Sequence, residues 1–139
     1  GIDMIIFFLL LMAALLALVG GLGLMGTMSI NVLERTREIG VMRAIGAGNG
    51  AIQRIVIVEG VLIGLISWVV GAILAAPVSY LMNQGLGAIF QAEDAFTFVF
   101  SFAGVATWLM IVVILATIAS FLPAWNASRV TVRDVLAYE

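Results

Sequence analysis

The residues able to do chemistry are few and crowded together. Of six basic residues, Arg35, Arg37, Arg43 and Arg54 fall in one stretch, Asn31 to Arg54, and the other two, Arg129 and Arg133, lie near the C-terminus. Glu34 precedes Arg37 by three residues and Arg35 precedes Glu38 by three. On a helix each couple can pair along one face, at about 0.2–0.5 kcal/mol apiece. Glu59 is alone in the apolar run that follows. A carboxylate there either pairs with an Arg or carries protons, and we read it as a paired, structural group.

Several chemistries are closed to this chain. It has no Cys and no His, and all six basic residues are Arg. That removes thiolate nucleophiles, imidazole bases and soft metal ligands. Without Lys there is no phosphate-binding G-x-x-x-x-G-K loop, so any ATP hydrolysis belongs to another subunit or domain, together with its magnesium. We expect no enzyme activity and no cofactor here. The net charge of −2 also argues against nucleic acid as a partner.

The elements that position the charged stretch are dictated by the solvent they occupy. The chain is 64% hydrophobic and 10% charged, with a mean hydropathy of +1.26, against roughly 25% charged for a soluble domain. Its partner is the lipid bilayer. Three apolar runs are each long enough to cross, since about 20 residues suffice. The spacing predicts a transmembrane helix over about 4–32, a charged segment over 33–54, a second helix over 55–82, a loop over 83–101, a third helix over 102–123 and a tail over 124–139. Arg-rich segments stay on the cytoplasmic side, which puts 33–54 and the tail inside, and Glu93, Asp94 and the N-terminus outside. An outward N-terminus fits a piece of a larger membrane protein.

Details sharpen this expectation. Gly21-Leu-Gly-Leu-Met-Gly26 matches a dinucleotide fingerprint, but it lies inside an apolar run and not between a strand and a helix, so helix packing explains it better. Asn126-Ala-Ser128 matches a glycosylation acceptor on the wrong side of the membrane. At 100° per residue Val32, Leu33, Thr36, Ile39 and Gly40 cover one face of an extension of the first helix, opposite Glu34, Arg35, Arg37 and Glu38. After Gly40 a short helix, with Val41, Met42, Ala44 and Ile45 around Arg43, should stop at the glycines of 46–50. In the second span Gly60, Gly64, Ser67 and Gly71 align on one face that should meet another helix closely. Pro77 should kink the outer end of that span, and Pro123 should end or kink the third. Ser101 can cap the third helix, and Thr131 with Asp134 can form a capping box in the tail. Phe96, Phe98, Phe100 and Phe102 alternate as a short strand would, although an interfacial aromatic segment fits better.

Glu34-Arg-Thr-Arg-Glu-Ile-Gly-Val-Met-Arg-Ala-Ile-Gly-Ala47, Val58-Glu-Gly60, Leu122-Pro-Ala with Ala127, and Asp134-Val-Leu-Ala-Tyr-Glu139 together resemble the FtsX-like permease domain of MacB-type ABC transporters. Gly48-Asn-Gly50 departs from the basic residues usual after the turn, and Thr131-Val132 from a usual tail proline. The resemblance implies an all-α polytopic membrane protein of three transmembrane helices, with a short amphipathic coupling helix between the first and second. It implies a bacterial plasma membrane location, a second permease copy, and an ABC-type ATPase that hydrolyses the ATP. Glu34, Arg35, Arg37, Glu38, Val41, Met42, Arg43 and Ile45 would contact that ATPase, with Val41, Met42 and Ile45 in a groove and the charges at its rim. ATP-driven motion would pass to an extracytoplasmic domain for export or extraction of a substrate. The other reading is a signalling scaffold whose motion activates an extracytoplasmic partner, a cell-wall hydrolase, with nothing transported.

Overall fold

A computed structural model describes residues 2–90 and 100–129, and among these every regular element is helical. The order is α1 (Ile2–Glu34), α2 (Thr36–Ala44), α3 (Asn49–Phe90) and α4 (Phe102–Ala127). Three of them, α1, α3 and α4, are long and apolar enough to cross a membrane. Backbone groups in hydrocarbon have no water to bond, so unbroken helices are the form such runs can take. Their large apolar side chains, from Met4 to Leu22 on α1 for instance, point outward, which is what lipid as a solvent permits.

Helix lengths differ from the spacing-based expectation in instructive ways. α3 begins at Asn49 and runs through Pro77 to Phe90, so residues 83–90, expected in a loop, are helical. Its 42 residues make a rod of about 63 Å, twice the roughly 30 Å of hydrocarbon. α4 continues past Pro123 to Ala127, so that proline does not end the helix. Proline deletes one backbone donor, a loss that packing against neighbouring helices can offset, and Pro123 is fully buried here. Ser101 does cap α4: its Oγ accepts from the Gly104 amide at 3.1 Å. The alternating phenylalanines at 96 and 98 and the Thr131–Asp134 couple lie outside the described residues. Phe100 and Phe102 meet edge to face with centroids 5.0 Å apart.

The helix break near the charged stretch falls at Arg35, not at Gly40. Arg35 sits at φ −97°, ψ 15°, yet its amide still donates to Asn31 and its carbonyl still accepts from Ile39, so the break is a bend and not a gap. Thr36 supplies a cause. Its hydroxyl donates to the carbonyls of Leu33 at 2.6 Å and Val32 at 3.2 Å, competing with backbone amides for them. Gly40 instead lies buried in mid-α2. α2 ends in a Schellman turn, in which the Gly46 amide donates to Arg43 O, the Ala47 amide to Met42 O, and Gly46 adopts φ +101°.

α4 is the central helix, packing along both α1 and α3, while α1 and α3 barely meet. Its inward face is almost all small: Ala116, Ala119, Ser120, Ala124 and Ala127, with Pro123 among them. Gly60 and Gly64 of α3 face it. A Cβ on Gly60 would overlap the Ser120 hydroxyl and lie 2.9 Å from Ser120 Cβ; one on Gly64 would lie 2.9 Å from Ala116 Cβ. Lipid gives no hydrophobic push between spans, so close backbone approach of this kind is what holds them. Farther along, the helices part: a Cβ on Gly71 meets nothing within 4 Å, and Ser67, Gly71 and Ala75 face Val105 and Trp108 across an open crevice. The apolar core gathers at the other end, where Met28 and Val32 of α1, Ile39 of α2, Ile52 and Val56 of α3, and Ala124 and Ala127 of α4 meet.

Gly60→Ala should therefore cost about 1–3 kcal/mol by overpacking, since rotating the Ser120 hydroxyl relieves only part of the overlap. Thermal unfolding in detergent checks it. Ser120→Gly added to Gly60→Ala should restore most of the loss, and Gly71→Ala should cost less than about 0.5 kcal/mol.

Candidate functional site

The apolar junction and the charged stretch are two sides of one object. α2 lies against the junction with Ile39 and Gly40 buried, Met42 packed on the core, and Arg43 half buried. The opposite side carries Arg37, Glu38, Val41, Ala44 and Ile45, all exposed, with Glu34 exposed just before the bend. Val41 is 58% and Ile45 82% accessible, so two sizeable apolar side chains stand in the open among charges. Leu33, placed by periodicity on one face with Val32 and Ile39, is 72% accessible while those two are buried.

Two arginines tie α2 and its flank to the long helices. Arg35 donates from Nε to Glu38 at 2.9 Å and from Nη1 to Glu59 on α3 at 3.2 Å. The Glu38 hydrogen bond and charge, with the Glu59 charge behind them, raise the Arg35 pKa above its already high ordinary value, so it stays charged at any working pH. Glu59 thus has the arginine partner expected of a structural carboxylate. No ion pair joins Glu34 to Arg37 among the described residues. Arg43 points inward: one Nη2 donates to Asn49 Oδ1 at 2.7 Å and also to the Ser128 carbonyl, at the end of α4. Its Nε is buried with no partner among the described residues. Gln53 of α3 donates to Ser128 Oγ at 3.0 Å, and Ser128 Oγ donates to Trp125 O at 2.7 Å. Arg129 stacks over Trp125, 5.2 Å from the ring centroid.

Sequence reasoning grouped Arg43 with the rim charges and Met42 with the outward anchors, and the structure turns both inward. It gave Asn49, Gln53 and Ser128 no part in the site. Asn49 opening a helix after a Gly-rich turn was the one available sign of a capping or bridging side chain; Ser128 was read only within Asn126-Ala-Ser128. Among the described residues no group of three His, Cys, Asp or Glu side chains converges as a metal site would need.

With this geometry the relatives can be placed. Residues 10–132 match the family model of the FtsX-like permease C-terminal domain. The chain belongs to that family. This FtsX-like chain is 38% identical over 128 residues to the macrolide export ATP-binding/permease protein MacB of Burkholderia cenocepacia (strain HI2424), covering 91% of the chain and 18% of that protein. Against MacB of Shewanella sp. (strain ANA-3) it is 37% identical over 128 residues, with the same coverage. Against the ABC transporter permease YtrF of Bacillus subtilis (strain 168) it is 32% identical over 139 residues, covering 94% of the chain and 32% of YtrF. The FtsX-like chain therefore spans less than a third of the length of these relatives.

The Arg35–Glu59 pair is half open to solvent, with side chains 50% and 34% accessible, which limits its worth to about 0–1 kcal/mol. A double-mutant cycle with Arg35→Gln and Glu59→Gln, read by thermal unfolding in detergent, should give a coupling energy in that range. The coupling should shrink as salt rises, because ions screen exposed charge.

Proposed function

We propose that this chain is the membrane part of an ABC transporter permease, and that α2 is the coupling helix that receives the push of an ATPase. The observation that carries this is the exposed pair Val41 and Ile45, one turn apart on the outward side of α2 and flanked by Arg37 and Glu38. Apolar anchors surrounded by charge are the usual make-up of a protein interface, with affinity from the centre and orientation from the rim. The named relatives support it: MacB is named an ATP-binding/permease protein and YtrF an ABC transporter permease. The concentration of Arg at this end favours its placement in the cytoplasm, the compartment that supplies ATP.

In this reading the ATP and magnesium sit on the ATPase subunit or domain, and α2 passes its motion through α3 and α4 to the far side of the bacterial plasma membrane for export or extraction of a substrate. A second permease copy and an extracytoplasmic domain complete the assembly by family resemblance. The docking surface differs from the one the sequence pointed to. Val41 and Ile45 are its anchors in this reading, Glu34, Arg37 and Glu38 its rim, while Met42 and Arg43 pack toward the permease and Arg35, half exposed, pairs with Glu38 and Glu59.

The test uses the full-length subunit with the ATPase made alongside it. Val41→Asp and Ile45→Asp should each lower ATPase co-purification at least tenfold and abolish its stimulation, with thermal stability unchanged. Met42→Asp should lower stability instead, and Glu34→Gln should change binding less than threefold. Retained binding in both outward variants would refute the coupling reading. Cysteines placed at Arg37 and Leu86 should be labelled from opposite sides of the membrane, position 37 from the cytoplasm; the reverse would invert the topology.

A further inference from the structure

The two sides of α4 answer to different surroundings. Its small residues turn inward against α1 and α3. The opposite side carries Ile114, Ile118, Phe121 and Trp125, all exposed, at steps of four, three and four that align them on one helical face. From Ile114 to Trp125 this column is about 17 Å long at 1.5 Å per residue, close to half of the roughly 30 Å of hydrocarbon in a bilayer. It has the length of one leaflet.

The column ends on a charge. Arg129 lies over the Trp125 ring, 5.2 Å from its centroid, and Trp125 tilts against Phe121 with centroids 6.3 Å apart. Arg129 enters no ion pair among the described residues. The end of α4 does not require its charge either, because the Ser128 carbonyl already accepts from Arg43. Among the described residues the Trp125 indole N–H has no acceptor. A guanidinium and an indole N–H therefore stand unused, one turn apart, where the apolar column stops. Stacking on the ring already limits the freedom of the long Arg129 side chain, so less is lost when it binds.

The molecule that matches this surface is an amphiphile with a chain of one leaflet's length below an anionic group that accepts several hydrogen bonds. Phosphate is the anion whose geometry a guanidinium fits best. We propose that this side of α4 binds an anionic phospholipid of the leaflet at the charged end. Its phosphate is held by Arg129 and the Trp125 N–H, and one acyl chain lies along Phe121, Ile118 and Ile114. This site is independent of what docks on α2.

Arg54 on α3 supplies a comparison within the same molecule. It is exposed and enters no ion pair among the described residues, and the exposed Val58 and Leu62 follow it at steps of four. Among the described residues no ring stacks on it. Gly60 opposes Ser120 and Gly64 opposes Ala116, so Leu62 and Ile118 lie at one depth on different faces.

Benzophenone side chains placed singly at positions 118 and 62 of the full-length subunit test the site. The vesicles contain equal phosphatidylglycerol and phosphatidylcholine, with one lipid radiolabelled at a time. The ratio of phosphatidylglycerol to phosphatidylcholine captured should be about threefold higher at 118 than at 62, a factor within the range of a solvent-exposed ion pair. Arg129→Gln should bring the ratio at 118 down to that at 62, and Trp125→Phe, which keeps a ring but removes the N–H, should lower it by about half. Arg54→Gln should leave the ratio at 118 unchanged, as should inorganic phosphate compared with chloride at equal ionic strength. Equal ratios at 118 and 62 with Arg129 intact would reveal only the diffuse attraction of basic residues for anionic lipid and overturn the site. A preference that survives Arg129→Gln would overturn it as well, and so would one abolished by inorganic phosphate, which would make free phosphate the ligand. Capture of protein at 118 in place of lipid would also overturn it, by giving this side of α4 to a neighbouring helix.

Discussion

Everything at the charged end depends on how closely α3 and α4 approach at Gly60 and Gly64. In lipid, apolar side chains gain little by leaving their surroundings for one another, so two spans associate where their surfaces fit. Here the fit is backbone against Ala116 and Ser120, with no space for even a methyl group. Held at that distance, the two helices bring Ser128 within reach of Gln53 and Arg43, and they close the pocket into which Met28, Ile39 and Ile52 fall. A wider separation would leave α2 with nothing to lie on.

From that constraint the division of labour around α2 follows. Its inner side is committed to the permease: Ile39 and Met42 by apolar packing, Arg43 by hydrogen bonds to two other helices. Its outer side keeps Val41 and Ile45 exposed, and an exposed apolar pair on a helix anchored from behind is suited to receive a partner. The Arg35–Glu59 bridge contributes little energy for its exposure, and it sits at the bend where α1 gives way to α2.

The spans were legible in the sequence because lipid imposes length and polarity on each segment separately, without reference to its neighbours. Ser101 as a cap and Glu59 as an arginine partner were legible for the same reason, each resting on a local or single-charge rule. The inward side of α2 was not. Val41, Met42, Ala44 and Ile45 surround Arg43 almost completely, so apolar periodicity gave no face, and only the position of the junction decides that Met42 and Arg43 turn in while Val41 and Ile45 turn out. The bend at Arg35 was missed because glycine at 40 looked like the weak point, whereas a side-chain hydroxyl at Thr36 competes for the carbonyls one turn earlier. Pro123 was expected to end or kink the third helix because its missing donor is a local fact; the helix runs on to Ala127 with Pro123 buried against its neighbours.

The central claim is that α2 has a permease side and an ATPase side. Photo-crosslinking from single positions in the assembled full-length complex tests this without altering charge. A benzophenone side chain at position 45 should crosslink to the ATPase, and one at position 39 should crosslink only within the permease. Crosslinks to the ATPase from position 39 and none from position 45 would contradict the account.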